Sequence, residues 1–207
     1  MTTLKKILSL THDVQDKYFA DRDHLVHQVK LIKEAGFTIA LTQGVYDMFH
    51  VGHGRYLADA SACGDILIVG VDSDELTRSM KGPDRPFDTF DERIEILAML
   101  AFVNIIAMRD VGEHKYDLIK LVRPDVLVMS KTTSTFGDED KAILEDFCGE
   151  IRHLEARAAT STTAKLRRLK IEGMKELGGQ VQSRVETFSK EIVELIGESL
   201  KRDGDGK

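Results

Sequence analysis

The sequence predicts an α/β fold: a Rossmann-like, doubly wound, parallel five-stranded sheet with helical N- and C-terminal extensions. Three observations carry this. Short apolar runs alternate with helix-period segments through residues 37–155, the pattern of βαβ units. The runs are apolar throughout rather than at every second residue, as strands covered on both faces are. Polar or glycine-bearing turns follow the first two runs at their carboxyl ends, the edge where open α/β sheets bind ligands.

The elements follow in order. Residues 1–21 are mixed and partly helical, and a helix runs from Arg22 to Ala35. Leu25, Val26, Val29 and Ile32 recur at helical spacing, and Gly36 stands where a helix-ending glycine would. Phe37 to Leu41 is the first strand, followed by a turn and a helix over 53–62 that ends near Gly64. Asp65 to Val71 is the second strand, closing on Asp72-Ser73-Asp74, and Ser79 to Phe87 reads as a loop. Thr89 to Met99 is a helix, with Asp88 or Thr89 as N-cap and Ile94, Leu97 and Ala98 on its apolar face. Val103 to Met108 is the third strand, and Tyr116 to Val122 a short helix stopped by Pro124. Asp125 to Met129, a helix over Asp138 to Phe147, and Ile151 to Leu154 complete the sheet.

Beyond Ala164 no strand signal remains. A helix is expected from Ala164 to Leu177, broken at Gly178-Gly179. A second helix then carries Val181, Val185, Phe188, Ile192 and Leu195 as a stripe, suited either to packing on the parent domain or to a dimer contact. The chain thus divides into 1–24, a main domain over 25–170, a helical extension over 171–200 and a disordered tail over 201–207.

Composition sets limits. At 42% apolar and 31% charged residues the chain fits a soluble globular class. A net charge of −6 gives no general attraction to nucleic acid or to an anionic membrane. No apolar run is long enough to span a bilayer, and the N-terminus lacks a signal-peptide pattern. Cys63 and Cys148 lie far apart without metal-ligand spacing, which suits buried thiols of a cytoplasmic protein.

The stretch Thr42 to Arg55, TQGVYDMFHVGHGR, leads from strand to helix with His50 and His53 three residues apart. Helix starts offer backbone N–H groups and the positive end of a dipole, so anions bind there readily, and two imidazoles add donors to a phosphate. A metal site on these histidines lacks further ligands at suitable spacing, so no metal ligand set is assigned.

In these residues the chain resembles the HxGH nucleotidyltransferase (cytidylyltransferase-like) superfamily. His50-Val51-Gly52-His53 is similar to its H-x-G-H signature, and Gly44-Val45-Tyr46-Asp47 to the preceding G-x-F-D, with Tyr46 in place of the usual Phe. The resemblance implies roles. His50, His53 and Lys81, the last in a K-G loop, are the catalytic set. Gly44, Val45, Tyr46 and Gly52 line the nucleotide. Thr160-Ser161-Thr162-Thr163 resembles the S-T-T motif that closes over the triphosphate, with Arg157 just upstream, offset by about one position from the family's arginine. Asp47, Asp74, Arg93 and Lys131 fall to the substrate. Mg²⁺ is expected with the triphosphate, bridging its oxygens with few protein ligands.

Lys81-Gly82-Pro83-Asp84-Arg85-Pro86, followed by Glu92-Arg93, resembles most the adenylyltransferase half of ADP-heptose synthases, where a sugar 1-phosphate reacts with ATP. Cytidylyltransferases for glycerol 3-phosphate or a phosphorylated amino alcohol stand next. A non-catalytic nucleotide-binding scaffold is the alternative of another class. Ser130-Lys131-Thr132-Thr133-Ser134 replaces a glycine and acidic run, which implies a more anionic or differently shaped acceptor. The partners expected are therefore a nucleoside triphosphate and a phosphorylated small molecule.

Overall fold

The structure is a computed structural model and describes residues 7–8, 11–131, 138–155 and 171–190. The chain separates into two units, Met1–Ser161 and Thr162–Lys207.

In the first unit, α1 (Val14–Lys17) and α2 (Arg22–Glu34) lead into β1 (Ile39–Gly44). Then come α3 (Val51–Ser61), β2 (Ile66–Asp72), α4 (Asp74–Lys81), α5 (Phe90–Ala98) and β3 (Ile105–Arg109). The unit ends with α6 (Asp117–Val122), β4 (Val126–Ser130), α7 (Asp138–Glu145) and β5 (Glu150–Leu154). The strands form one parallel sheet in the order β3-β2-β1-β4-β5. The order reverses between β1 and β4, the switch point where such sheets open a ligand crevice.

Strand character follows from burial. Every residue of β2 is buried, as its unbroken apolar run requires of an interior parallel strand. One face of the sheet (Ile39, Leu41, Ile66, Ile68, Ile105) packs on Leu25, Val29 and Ile32 of α2 and on Leu118, Ile119 and Val122 of α6. The other face (Ala40, Leu67, Val69, Val71, Ile106) packs on Leu57 and Ala60 of α3 and Ile94, Leu97 and Ala98 of α5. The five predicted strands are all present, with ends moved by no more than three residues.

Three features depart from the sequence reading. Asp74–Lys81 is a helix, not a strand-end turn running into a loop; the Ser73 hydroxyl caps it by accepting from Leu76 N at 3.0 Å. Its apolar signal is confined to Leu76 and Met80, too few for the period to register. Residues 171–190 are one helix running through Gly178-Gly179, since glycine weakens a helix without obliging it to stop. Residues before 25 belong to the core as well: Phe19 is buried, its N–H donates to Ile106 O at 2.9 Å, and Tyr18 bridges to Ile106. Lys17, 2% exposed, donates from Nζ to Leu100 O at 2.8 Å, and its burial lowers the ammonium from the ordinary lysine value.

Cys63 and Cys148 are free, half-buried thiols. No described helix is long and apolar enough to cross a membrane.

The helix that matters most for the site is held from beneath. Thr42 Oγ1 on β1 lies 2.7 Å from Tyr56 Oη on α3, which donates to Val128 O on β4 at 3.2 Å. This chain of hydroxyls fixes α3 across the switch point. Tyr56→Phe is expected to remove both bonds at constant shape and lower the unfolding free energy by about 1–2 kcal/mol. Urea unfolding would show this as a shifted midpoint at unchanged slope; an unmoved midpoint would count against the tie.

Candidate active site

β1 ends at Gly44 and the chain enters the turn 45–50. A Cβ on Gly44 would lie 3.3 Å from the Tyr46 ring, so glycine lets that ring fold back over the strand end. Tyr46 and Met48 both take left-handed backbone, with φ of 58° and 48°. Such conformations are costly for residues with side chains and persist only where their surroundings enforce them.

Two groups enforce them here. The Asp47 carboxylate, nearly buried, accepts from Phe87 N at 2.8 Å, from Asp88 N at 3.0 Å and from Arg85 Nη1 at 2.5 Å. Asp88 returns the tie by accepting from Met48 N at 2.6 Å. The loop after α4 is thereby folded onto the turn before α3. From the other side comes Arg93, 1% exposed on α5. It donates to Val45 O at 2.5 Å, to Asp72 O at 2.7 Å and to Asp74 Oδ1 at 2.8 Å. One guanidinium thus joins the turn, the end of β2 and the first turn of α4. Thr89, with Glu92 in a capping box, starts the helix that carries it.

His50 is the N-cap of α3. Its Nδ1 accepts from Gly52 N at 3.0 Å and from His53 N at 3.4 Å. This corrects the expectation of open amides at this helix start: those of Gly52 and His53 are taken up by the cap. It also fixes the tautomer. A ring whose Nδ1 accepts carries its hydrogen on Nε2, which makes Nε2–H the donor. The His53 ring stacks on His50 at 3.9 Å between centroids and 16° between planes. Tyr46 meets His53 edge-on at 5.7 Å, and Phe49 lies 5.5 Å away. Two imidazoles are therefore held side by side at the positive end of a helix, at the carboxyl edge of the sheet.

Lys81 is the last residue of α4, which ends at Gly82 with φ of 96°. Its side chain is exposed over much of its length, yet surrounding protein lowers the ammonium from the ordinary lysine value, with the Asp72 carboxylate the strongest opposing influence. Burial raises the Asp72 carboxyl against the pull of Arg109, Lys81 and Arg93. Arg109 of β3 pairs with Asp72 at 2.8 Å. The carboxyl ends of β2 and β3 thus carry a buried ion pair beside the lysine.

The residues expected at the substrate occupy different settings. Asp47, Asp74 and Arg93 hold protein contacts in this structure. Lys131 is exposed just past β4 and pairs with Glu155, just past β5. Arg157, Thr160, Ser161, Thr162 and Thr163 lie outside the described residues. Sequence reasoning passed over Arg85, Asp88 and Arg109 as tethers. Arg85 stood within the quoted KGPDRP stretch, but its partner Asp47 is 38 residues away in sequence. Among the described residues no three His, Cys, Asp or Glu side chains gather into a metal cage.

Comparison with known proteins gives a consistent picture. Residues 41–167 match the model of the cytidylyltransferase-like family. The chain is 33% identical over 164 residues to the bifunctional protein HldE of Sulfurimonas denitrificans, a match covering 78% of this chain and 33% of that protein. To the same-named protein of Wolinella succinogenes it is 35% identical over 150 residues, covering 72% and 30%. The chain thus spans about a third of the length of these curated relatives. A lipopolysaccharide core biosynthesis protein from Thermoplasma volcanium shares the fold, with a TM-score of 0.54 at 22% identity, covering 59% of this chain and 100% of that one.

Two outcomes are expected. Arg93→Met leaves the Val45 and Asp72 carbonyls and the Asp74 carboxylate without their donor and should cost about 3–5 kcal/mol; a loss under about 1 kcal/mol would show that the pin is dispensable. For Asp47, burial pushes the carboxyl up, but the Asp88 amide, the Arg85 guanidinium and the Phe87 amide outweigh it and hold it below the usual value. Its contribution is therefore complete above the unfolded carboxyl's pKa and is lost as pH falls through the lower, folded value. Wild type should lose more stability than Asp47→Asn on acidification below about pH 4. Parallel acid profiles for the two proteins would contradict this.

Proposed function

This chain belongs to the cytidylyltransferase-like family, and on that premise we propose that it transfers a nucleotidyl group from a nucleoside triphosphate, ATP ahead of CTP, to a phosphorylated small molecule. A sugar phosphate is the acceptor class. The observation that carries the reading is the His50 cap: it commits Nδ1 to the helix and so places the ring's hydrogen on Nε2, beside a stacked second imidazole at the helix start. The ATP and sugar-phosphate preference rests on the KGPDRP and Glu92-Arg93 likeness to ADP-heptose synthases and on the HldE relatives.

The reaction brings two anions together. An oxygen of the acceptor phosphate attacks the α-phosphorus, the bond from that phosphorus to the α,β-bridging oxygen breaks, and pyrophosphate leaves with the electron pair. Repulsion between the reactants is part of the barrier, so positioned positive charge and hydrogen-bond donors do most of the work. His50 and His53 donate to the triphosphate oxygens as charge grows on them, aided by the α3 dipole. Lys81 neutralises the incoming phosphate or the β- and γ-oxygens. Gly44, Val45, Tyr46 and Gly52 shape the wall against the nucleotide. Asp47, Asp74 and Arg93 serve this site by fixing the 45–50 turn, and Lys131 sits at the strand ends beyond the switch point. The hydroxyls of Thr160, Ser161, Thr162 and Thr163, with Arg157, are assigned to the leaving pyrophosphate by the family likeness. Mg²⁺ carried on the triphosphate supplies charge neutralisation there and needs few protein ligands.

Pyrophosphate release, measured with ATP or CTP and Mg²⁺ against a panel of sugar phosphates and phosphorylated alcohols, tests the reading. Turnover with an ATP and sugar 1-phosphate pair is expected. Tight nucleotide binding without pyrophosphate release from any pair would mark a non-catalytic scaffold instead. His50→Asn separates structure from chemistry, because asparagine is a good N-cap but its shorter amide cannot place a donor where the imidazole Nε2–H stands. Stability should stay within about 0.5 kcal/mol, while turnover falls by about 10²–10³. Retained turnover would remove the imidazole from the mechanism.

A further inference from the structure

Of the residues expected at the acceptor, Asp47, Asp74 and Arg93 are engaged with protein groups, and Lys131 pairs with Glu155. The body of the acceptor is thus left without a group to recognise it, and the same edge of the sheet holds an unused one. Gln43 lies near the carboxyl end of β1, on the strand face that Ile39 and Leu41 turn toward α2 and α6. Its stem crosses Gly70, its register partner on β2. A Cβ there would lie 3.1 Å from Gln43 Cγ, 3.3 Å from Arg109 Cδ and 2.7 Å from Leu118 Cδ2. The glycine leaves room for three side chains to converge beside the Asp72–Arg109 pair.

Gln43 is only half-buried, yet its Nε2 and Oε1 are both closed off from solvent and neither has a hydrogen-bond partner. This holds whichever way round the amide is set. An amide has two N–H donors and a carbonyl acceptor to satisfy, and leaving them unpaired in an interior is destabilising. Methionine or leucine would fill the place without that cost, so packing does not account for the glutamine. No bond holds the amide where it rests. Rotation about its side-chain torsions toward the accessible side of the residue therefore breaks nothing, and a ligand there would supply what the interior withholds.

A group that donates and accepts side by side matches hydroxyls, which do both as well. The setting agrees. Lys81, given a phosphate in the proposed reaction, has Asp72 as its main charged neighbour, and Asp72 and Arg109 stand at the ends of the strands next to Gln43.

We infer that Gln43 selects the acceptor: with the acceptor's phosphate at Lys81, the amide turns out to bind neighbouring hydroxyls of a polyhydroxylated body such as a sugar phosphate carries. This rests on the transfer reaction proposed above and adds the residue that tells a sugar phosphate from a phosphorylated alkyl or amino alcohol. The free protein bears the unpaired amide, so only a ligand that satisfies both its halves gains the difference.

Calorimetric binding of acceptors to the full chain, loaded with a non-hydrolysable ATP analogue and Mg²⁺, tests this without requiring turnover. The probes are ribose 1-phosphate, mannose 1-phosphate and a heptose 1-phosphate, with ethyl phosphate as the acceptor that lacks hydroxyls. Wild type should bind at least one sugar phosphate more tightly than ethyl phosphate. Gln43→Met, which keeps the length and removes the amide, should weaken that sugar phosphate about 10–100-fold and leave ethyl phosphate within about twofold. Its urea midpoint should match or exceed that of wild type, since no existing bond is lost; Gln43→Leu supplies both readings should the methionine variant fail to fold. An equal loss for both kinds of acceptor, an unchanged sugar-phosphate affinity, a wild type without preference for the sugar phosphates, or a lowered midpoint in both variants would each overturn the inference. Sugar-phosphate binding without pyrophosphate release would instead remove the transfer reaction and leave the selecting role of Gln43 in place.

Discussion

The buried guanidinium of Arg93 is the contact on which the rest of the site depends. It reaches three segments that adjoin nowhere in sequence: the turn after β1, the carboxyl end of β2 and the start of α4. Two of its acceptors are main-chain carbonyls of residues leaving the sheet. Without that donor, those carbonyls would be polar groups in a closed interior, an arrangement proteins rarely tolerate. The cost of burying the charge is offset because Asp74 supplies the counter-charge on the same group. Asp47 completes the frame from the solvent side through Arg85, Phe87 and Asp88. Between them, the two clamps account for how Tyr46 and Met48 persist in left-handed backbone next to the histidines.

Within that frame, the signature histidines divide their labour. His50 is a structural cap on one ring nitrogen and a donor on the other. His53 lends its amide to the cap while its ring stacks against His50 and is walled by Tyr46 and Phe49. Gly52 must offer an amide close to the His50 ring and is buried against the helix start. The three fixed positions of H-x-G-H are thus one local hydrogen-bonded object, so the spacing cannot be altered without losing the cap. The same object lies at the carboxyl edge of the sheet, where the strand order reverses.

Much of this was legible in the chain itself. The alternation of apolar runs and helix periods predicted all five strands, because parallel interior strands leave an unbroken apolar record. The histidine pair announced itself because the cap and the donors lie within four residues. What the sequence hid was long-range and polar. Nothing in Asp47 or Arg93 reveals whether a charged group faces ligand or interior; only the fold shows that Arg93 is fully enclosed. The Asp72–Arg109 pair joins adjacent strands, and each partner alone reads as an ordinary strand-end charge. The helix Asp74–Lys81 was missed because its apolar face is two residues wide. The glycine pair at 178–179 read as a break because propensity is local, whereas helix continuity is decided by the whole segment.

The segment ahead of α2 sets a different kind of boundary. The match to the family model begins at residue 41, after the first strand has already started. The folded body begins earlier, where Tyr18 and Phe19 lie along β3 and the Lys17 ammonium is sunk against the Leu100 carbonyl. β3 ends the sheet on that side, and an uncovered outer strand offers its free backbone groups to any passing chain. A fragment trimmed to residues 41–167 would keep the signature histidines yet bare that strand, inviting edge-to-edge aggregation. The stretch that the family model matches and the stretch that forms the folded body are not the same length.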